Sequence, residues 1–235
     1  MKILQELKLK PNDRPKRKAF ALEMLNHLED DEDDLKKVIF TDEACFHASW
    51  KVNRHNVSIW GSENPHMVME HIRDSPKVNV WCGLLHDRLL SPFFIAEDTV
   101  TSTIYMNMLE GFAFPHIEDL QPNIIFQQDD ALPHWALVLR AILNEKFPGR
   151  WISQDGPTAW PPRSPEITPL DFFLWGFVKD VVYSTKVANL QELLFQITAA
   201  CTLVDANMLS QTRQELVYSL DVLPATNGGA HIEMH

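Results

Sequence analysis

Two short runs of this chain are apolar through their middle and stop at an acidic residue, and they constrain the fold more than any other feature. Residues 37–41 and 123–128 are predicted as strands, because a strand buried on both faces has a nearly continuous apolar sequence. Asp42 and Asp129 follow these two runs. We therefore expect both carboxylates at the carboxyl edge of a sheet, where open α/β sheets bind ligands.

The order of the other predicted elements gives the fold class. Strands come first, then strands and helices alternate, and helices end the chain, which predicts an α/β fold with a mixed sheet flanked by helices. Residues 150–168 are rich in proline and are predicted as a long irregular segment. The further strands are predicted at 46–52, 57–60, 77–85 and 89–95, and the helices at 16–30, 101–112, 133–147, 169–182, 189–204 and 206–220.

The charge of the chain is negative overall but basic at its start. The net charge is −11, which disfavours a self-sufficient DNA-binding protein, because neutralising phosphates requires Lys and Arg. Residues 1–18 carry seven basic and two acidic side chains. Such an arm favours contact with nucleic acid, with Lys16, Arg17 and Lys18 as candidate contacts, and an ordinary solvated tail is the equal alternative.

Cysteine usage and hydropathy limit the class of protein. Cys45, Cys82 and Cys201 are odd in number and far apart, without zinc-site spacing, so we predict three reduced thiols in an intracellular protein. No apolar run approaches the roughly 18–20 residues that span a bilayer, so no membrane partner is predicted.

A third acidic residue completes a candidate metal site. Asp171 lies in the first turn of a helix predicted from residue 169, where the helix dipole favours its charge. If Asp42, Asp129 and Asp171 meet at one sheet edge, their oxygens suit hard divalent cations. Two such ions about 3.5–4 Å apart activate a water or hydroxyl and stabilise the leaving oxygen. Spacing alone leaves the alternative that these acids are turn, cap and helix-terminus residues.

Three sequence blocks resemble the catalytic domain of mariner-type transposases, in the Tc/mariner superfamily of DDE/D enzymes. They are FTDEA at 40–44, QQDDALPH at 127–134 and WPPRSPEITPLDFFLWG at 160–176, in the order of the family. The strand VNVWCGL at 78–84 also fits the family pattern. The resemblance extends from about residue 11 to about residue 220.

The resemblance implies an RNase-H-like fold with a mixed five-stranded sheet, and DNA strand cleavage and transfer that depends on two Mg²⁺ or Mn²⁺ ions. It makes Asp42, Asp129 and Asp171 the catalytic acids and metal ligands, and it implies work on chromosomes in the nucleus. His134 is a candidate for orienting a DNA phosphate or the second acid, or is a surface or capping histidine. Arg163 is a candidate DNA contact, or satisfies carbonyls in its own loop.

The same resemblance divides the chain into a basic arm and helix (1–36), a catalytic domain (37–220) and a disordered tail (221–235). The helix-turn-helix modules that precede this domain in the family are not expected in residues 1–40, so DNA binding is predicted to be weak and non-specific. Asp130 stands where the family pattern has Gly. Glu43 is expected on the face of its strand opposite Asp42. The alternative function is a catalytically impaired relic that only binds nucleic acid or forms a homodimer.

Overall fold

A single mixed sheet of six strands organises the protein, as seen in a computed structural model that describes residues 9–48 and 76–229. The strand order is β3-β2-β1-β4-β5-β6; β1, β2 and β3 pair antiparallel, while β1, β4, β5 and β6 pair parallel. The predicted mixed sheet is thus confirmed, with six strands in place of five. The strands are β1 Val38–His47, β2 Lys77–Leu84, β3 Phe93–Ile95, β4 Ile125–Gln127, β5 Trp151–Ser153 and β6 Thr158–Ala159.

Helices cover both faces of this sheet. Turns of π-helix join α2 to α3 at Leu109–Ala113 and lead into α5 at Leu170–Leu174. Side chains of Thr101, Asn189 and Asp205 cap α2, α6 and α7, which explains where these helices begin. The helices are α1 Asp13–Asp30, α2 Ser102–Met108, α3 Phe114–His116, α4 Leu137–Lys146, α5 Trp175–Val182, α6 Leu190–Thr202 and α7 Ala206–Ala225.

Alternate residues of the central strand face two separate hydrophobic cores. Phe40 belongs to a core shared with α1, α5, α6 and α7, whereas Ile39 belongs to a core shared with α2, α3 and α4. In the first core, Phe20 of α1 packs edge-on against Trp160 with ring centroids 5.1 Å apart. Helix α1 is therefore an integral part of the folded domain.

The central strand β1 is longer than its sequence predicts. It pairs with β2 from Phe40 opposite Leu84 to His47 opposite Lys77, so it runs through Asp42 without a break. The prediction that the strand ends before Asp42 is wrong, because the unbroken ladder to β2 carries the chain onward. The strand predicted at 57–60 lies outside the described residues.

The two ends of the domain also differ from prediction. Helix α1 begins at Asp13, with Pro15 accepted in its first turn. Helix α7 continues to Ala225, and Leu223 is 1% exposed, so the predicted disorder is wrong for residues 221–229. The burial of this last turn against α1 supplies the stabilisation that the composition of the segment does not reveal. Residues 230–235 lie outside the described ranges.

Within the described residues, no single helix is long and apolar enough to cross a membrane. Helices α6 and α7 meet the length and composition criteria only as a pair, and that pair is bent by 78°.

Candidate metal centre

The register of the two central parallel strands brings two acids to the same edge of the sheet. Phe40 of β1 pairs with Gln127 of β4, and Asp42 and Asp129 each lie two residues beyond that pair. Thr41 reinforces the alignment, since its Oγ1 donates to the Gln127 carbonyl at 2.8 Å and its N–H donates to Gln127 Oε1 at 3.2 Å. Both acids are half-buried. The expected edge position is therefore present, although β1 does not end there.

Asp171 reaches the site from the π-helical turn that precedes α5. Its N–H donates to the Thr168 carbonyl at 2.9 Å, and Thr168 Oγ1 donates to the Ser164 carbonyl at 3.0 Å. One turn later, Trp175 Nε1 donates to Asp42 Oδ2 at 2.7 Å. This bond fastens the start of α5 to β1. The turn that contains Asp171 is π-helical, a feature that is frequent at functional sites.

The effects of Asp171 and Asp129 on the pKa of Asp42 indicate that the three acids lie near one another. Burial raises the pKa of Asp42 well above its usual value, and the charges of Asp171 and Asp129 raise it further, against the hydrogen bond from Trp175. Desolvation by the surrounding protein and the charge of Asp129 raise the pKa of Asp171 to about 6, although its side chain remains accessible to solvent. Such mutual destabilisation of charge is typical of carboxylates that share a site.

A nearly buried lysine offsets part of this negative charge. Lys179 of α5 is 8% exposed, and its Nζ lies 5.5 Å from the centroid of the Phe46 ring. Burial lowers the pKa of its ammonium group, and the charges of Asp171 and Asp42 oppose that effect. Lys179 therefore acts as an internal counter-charge to two of the three acids.

A second cluster shares Asp129 but not the other two acids. Across residues 9–48 and 76–229, the one group of His, Cys, Asp and Glu with ligand atoms all within 4.8 Å of one another is Glu43, Asp129 and His134. His134 Nδ1 lies 2.8 Å from Asp129 Oδ1, and His134 Nε2 lies 3.7 Å from Glu43 Oε1. Asp129 thus links this cluster to Asp42 and Asp171.

Two of the candidate DNA contacts are buried, which corrects the prediction for them. The His134 side chain is 1% exposed and is directed onto Asp129, so of its predicted roles the structure favours orientation of the second acid. Arg17 is fully buried. Its guanidinium donates to the Gly228 carbonyl at 3.0 Å and to Ser164 Oγ at 3.0 Å, and it also bonds the Arg163 carbonyl and pairs with Glu166. These contacts occupy the guanidinium of Arg17, which is the group that would have to bind a DNA phosphate.

The remaining candidate cations lie at the surface. Lys16 is exposed, and Lys18 Nζ donates to Asn227 Oδ1 at 3.1 Å. Arg163 has a left-handed backbone with φ of 53°, and its Nη1 pairs with Asp13 Oδ2 at 2.5 Å, leaving 35% of the side chain exposed. The alternative prediction is that Arg163 satisfies carbonyls of its own loop, whereas the structure pairs its guanidinium with a carboxylate of α1.

A cavity of about 410 Å³ adjoins the site on the side of α1. Asp130 faces it, and its Oδ1 accepts from Trp135 Nε1 at 2.9 Å. Burial and the charge of Asp129 raise the pKa of Asp130, against the Trp135 hydrogen bond. The lining also includes Lys10, Lys16, Trp160 and Arg163.

Sequence reasoning missed three residues of the site. Trp175 and Lys179 follow Asp171 at intervals of four, the spacing that puts side chains on one face of a helix, so this signal was available. Glu43 was expected to face away from Asp42, as it does, but the imidazole of His134 joins it to Asp129. That link depends on a tertiary contact between β1 and the turn after β4.

Comparison with protein-family models and with curated proteins gives no match. Solved structures do match this fold. The catalytic domain of Mos1 mariner transposase aligns with a TM-score of 0.74 at 14% identity, covering 97% of this chain and 100% of that one. A pre-cleavage Mos1 transpososome gives 0.78 at 15% identity, covering 99% of this chain and 68% of the Mos1 chain.

A Mos1 paired-end complex with the left transposon end gives a TM-score of 0.76 at 15% identity. It covers 94% of this chain, which spans only 64% of that Mos1 chain. At such low identity the likeness bears on the fold, and it agrees with the sequence blocks that contain Asp42, Asp129 and Asp171. The chain therefore shares the RNase-H-like fold of the Mos1 mariner transposase catalytic domain.

Proposed function

We propose that this chain is a transposase catalytic domain that cleaves and transfers DNA strands in a reaction dependent on divalent metal ions. The observation that carries the proposal is the parallel register that brings Asp42 and Asp129 to one edge of the sheet, together with the bond from Trp175 that ties the turn containing Asp171 to Asp42. The effect of Asp171 and Asp129 on the pKa of Asp42 supports it. The Mos1 catalytic domain, which has the same fold, has been solved with Mn and with Mg. Mos1 structures also include a transpososome and a complex with a transposon end.

The donor set fits hard divalent cations. Ionising all three acids together is unfavourable in the protein alone, and a divalent cation between them would remove that penalty. Carboxylate oxygens are the ligands that Mg²⁺ and Mn²⁺ prefer. We assign Asp42, Asp129 and Asp171 as the ligands of a two-metal site. When bound, such ions polarise the scissile phosphate and lower the pKa of the attacking water or 3′-hydroxyl.

The chain's own groups orient these acids before any ion arrives. Trp175 holds Oδ2 of Asp42, while the N–H of Ala131 and the imidazole of His134 hold Oδ1 of Asp129 at 3.0 and 2.8 Å. Asp42 and Asp129 therefore each have one engaged oxygen and a second that these bonds leave for a ligand. Lys179 limits the repulsion that would otherwise separate Asp42 from Asp171.

DNA is the proposed partner, and the surface cations Lys16, Lys18 and Arg163 are its proposed phosphate contacts. With a net charge of −11 and few such cations, binding by this chain is weak, independent of sequence and steeply reduced by salt. A nuclear location is a further proposal, because transposition acts on chromosomal DNA. We also propose that the chain forms a homodimer, and sedimentation analysis of the purified protein measures its oligomeric state.

Nicking of a supercoiled plasmid tests the proposed reaction. We expect nicked product with Mn²⁺ or Mg²⁺, and none after addition of a chelator. Asp42→Asn, Asp129→Asn and Asp171→Asn each abolish the product, whereas Glu118→Gln, at an exposed acid of the same chain, does not. A nicking activity that survives all three substitutions would exclude this site as its source.

Asp130 favours a second candidate function, that of an impaired relic which binds DNA without cutting it. Its carboxylate adjoins Asp129 and faces the cavity beside the site, where it adds negative charge near an incoming phosphate. The Asp130→Gly variant decides between the two. If only this variant nicks the plasmid, the natural chain is the relic; equal nicking by both supports an active enzyme.

A further inference from the structure

The imidazole of His134 bridges two carboxylates at the edge of the candidate site. Its Nδ1 lies at hydrogen-bonding distance from Asp129 Oδ1, 2.8 Å, and its Nε2 lies 3.7 Å from Glu43 Oε1. Within the described residues, His134 Nε2 and Glu43 Oε1 are both buried and make no hydrogen bond. Their contact with each other is therefore the polar interaction available to both. Glu43 thus contacts His134 from the side opposite Asp129.

The surroundings of the ring fix its orientation. The Tyr105 ring packs against the imidazole, with ring centroids 4.2 Å apart and an angle of 38° between the ring planes. Tyr105 is itself fully buried. The backbone closes a turn around the same acid, since His134 N–H donates to the Ala131 carbonyl at 2.9 Å and Ala131 N–H donates to Asp129 Oδ1 at 3.0 Å. Asp129 Oδ1 therefore receives two donors from one short turn.

We propose that His134, supported by Glu43, is a positioning residue that fixes the Asp129 carboxylate for metal binding. This inference rests on the proposed function, in which Asp129 is a metal ligand. Groups that hydrogen-bond to metal-binding carboxylates restrict their rotation, and loss of such a group typically weakens metal affinity. Glu43 acts only through His134, and the bonds to Asp129 Oδ1 leave Asp129 Oδ2 available to hold an ion.

Calorimetric titration of the metal-free protein with Mn²⁺ tests the role of His134. His134→Phe keeps a ring against Tyr105 and removes both nitrogens, and we expect Mn²⁺ affinity to fall roughly 10- to 100-fold. His134→Asn places an amide N–H near the position of Nδ1, so it recovers most of the lost affinity. His86→Asn is the matched control, because exposed His86 has its Nδ1 3.8 Å from Asp87 Oδ1 and its loss leaves affinity unchanged.

A double variant separates Glu43 as a support from Glu43 as a ligand. Glu43→Gln is expected to weaken Mn²⁺ binding less than Asp129→Asn, and the Glu43→Gln/His134→Phe pair to bind no more weakly than His134→Phe alone. If the two losses add, Glu43 contacts the ion directly and the proposal is overturned. Should His134→Phe fail to fold by circular dichroism, Glu43→Gln and His134→Asn give the same test through their own double variant.

The outcomes of these titrations distinguish a failure of the positioning role of His134 from a failure of the proposed metal centre. If Asp129→Asn abolishes Mn²⁺ binding while His134→Phe binds like the natural chain, the positioning role fails and the metal centre stands. If the natural chain binds no Mn²⁺, the metal centre fails and the positioning role fails with it.

Discussion

Replacing Arg17 by Met removes the guanidinium that joins α1 to the proline-rich loop, and it should destabilise the fold severely. Arg17 is 0% exposed and the Glu166 side chain 8%, so the substitution leaves a carboxylate buried without its partner. Breaking a buried ion pair from one side costs about 3–5 kcal/mol. The carbonyls of Gly228 and Arg163 also lose a donor. We therefore place the loss for Arg17→Met near the upper end of that range.

Urea denaturation followed by circular dichroism measures this loss. For a slope of about 2 kcal/mol per molar, within the usual range for small proteins, a loss of about 5 kcal/mol moves the midpoint down by about 2.5 M. The Arg17→Met/Glu166→Leu variant should recover much of the stability, since apolar replacement of both partners is often neutral. Lys16→Met, at the exposed neighbour, should leave the midpoint unchanged and weaken DNA binding. A stable Arg17→Met protein with weakened DNA binding would refute the reasoning and restore Arg17 as a DNA contact.

The other predictions concern the acids themselves. Trp175→Phe removes the 2.7 Å bond to Asp42 and should cost about 0.5–1.5 kcal/mol of unfolding free energy, the usual net value for an intramolecular hydrogen bond; an unchanged urea midpoint would contradict this. Because the pKa of Asp171 is raised to about 6, the folded protein binds more protons than the unfolded chain between about pH 4 and 6, and this group's contribution to stability falls as pH rises through that window. Metal-free Asp171→Asn should therefore gain stability relative to the natural chain as the pH rises to 7, and a constant difference across the range would count against the raised pKa. Mg²⁺ or Mn²⁺ should raise the melting temperature at pH 7, and Asp129→Ala should abolish the shift; an equal shift in that variant would remove Asp129 from the metal site.

Sequence reasoning succeeds where a local pattern fixes the outcome. The apolar runs before Asp42 and Asp129 identify two central strands, and their parallel register then brings the acids to one edge. It fails where only a tertiary contact decides. Arg17 resembles any other cation of a basic arm until Glu166 and the loop carbonyls enclose it. Strands β5 and β6 have three and two residues, too few for alternation to be visible.

The contacts of Arg17 also assign a structural task to the region that looks most like a DNA-binding arm. Arg17 bonds Ser164 Oγ, the Ser164 carbonyl accepts from Thr168 Oγ1, and the Thr168 carbonyl accepts from the N–H of Asp171. A continuous path of hydrogen bonds thus runs from the first helix to the third acid. Asp171 has its position set by this path and by the π-helical turn, whereas Asp42 and Asp129 have theirs set by the sheet. The third acid therefore depends on α1, so removing the basic segment should disturb the metal centre as well as any contact with DNA.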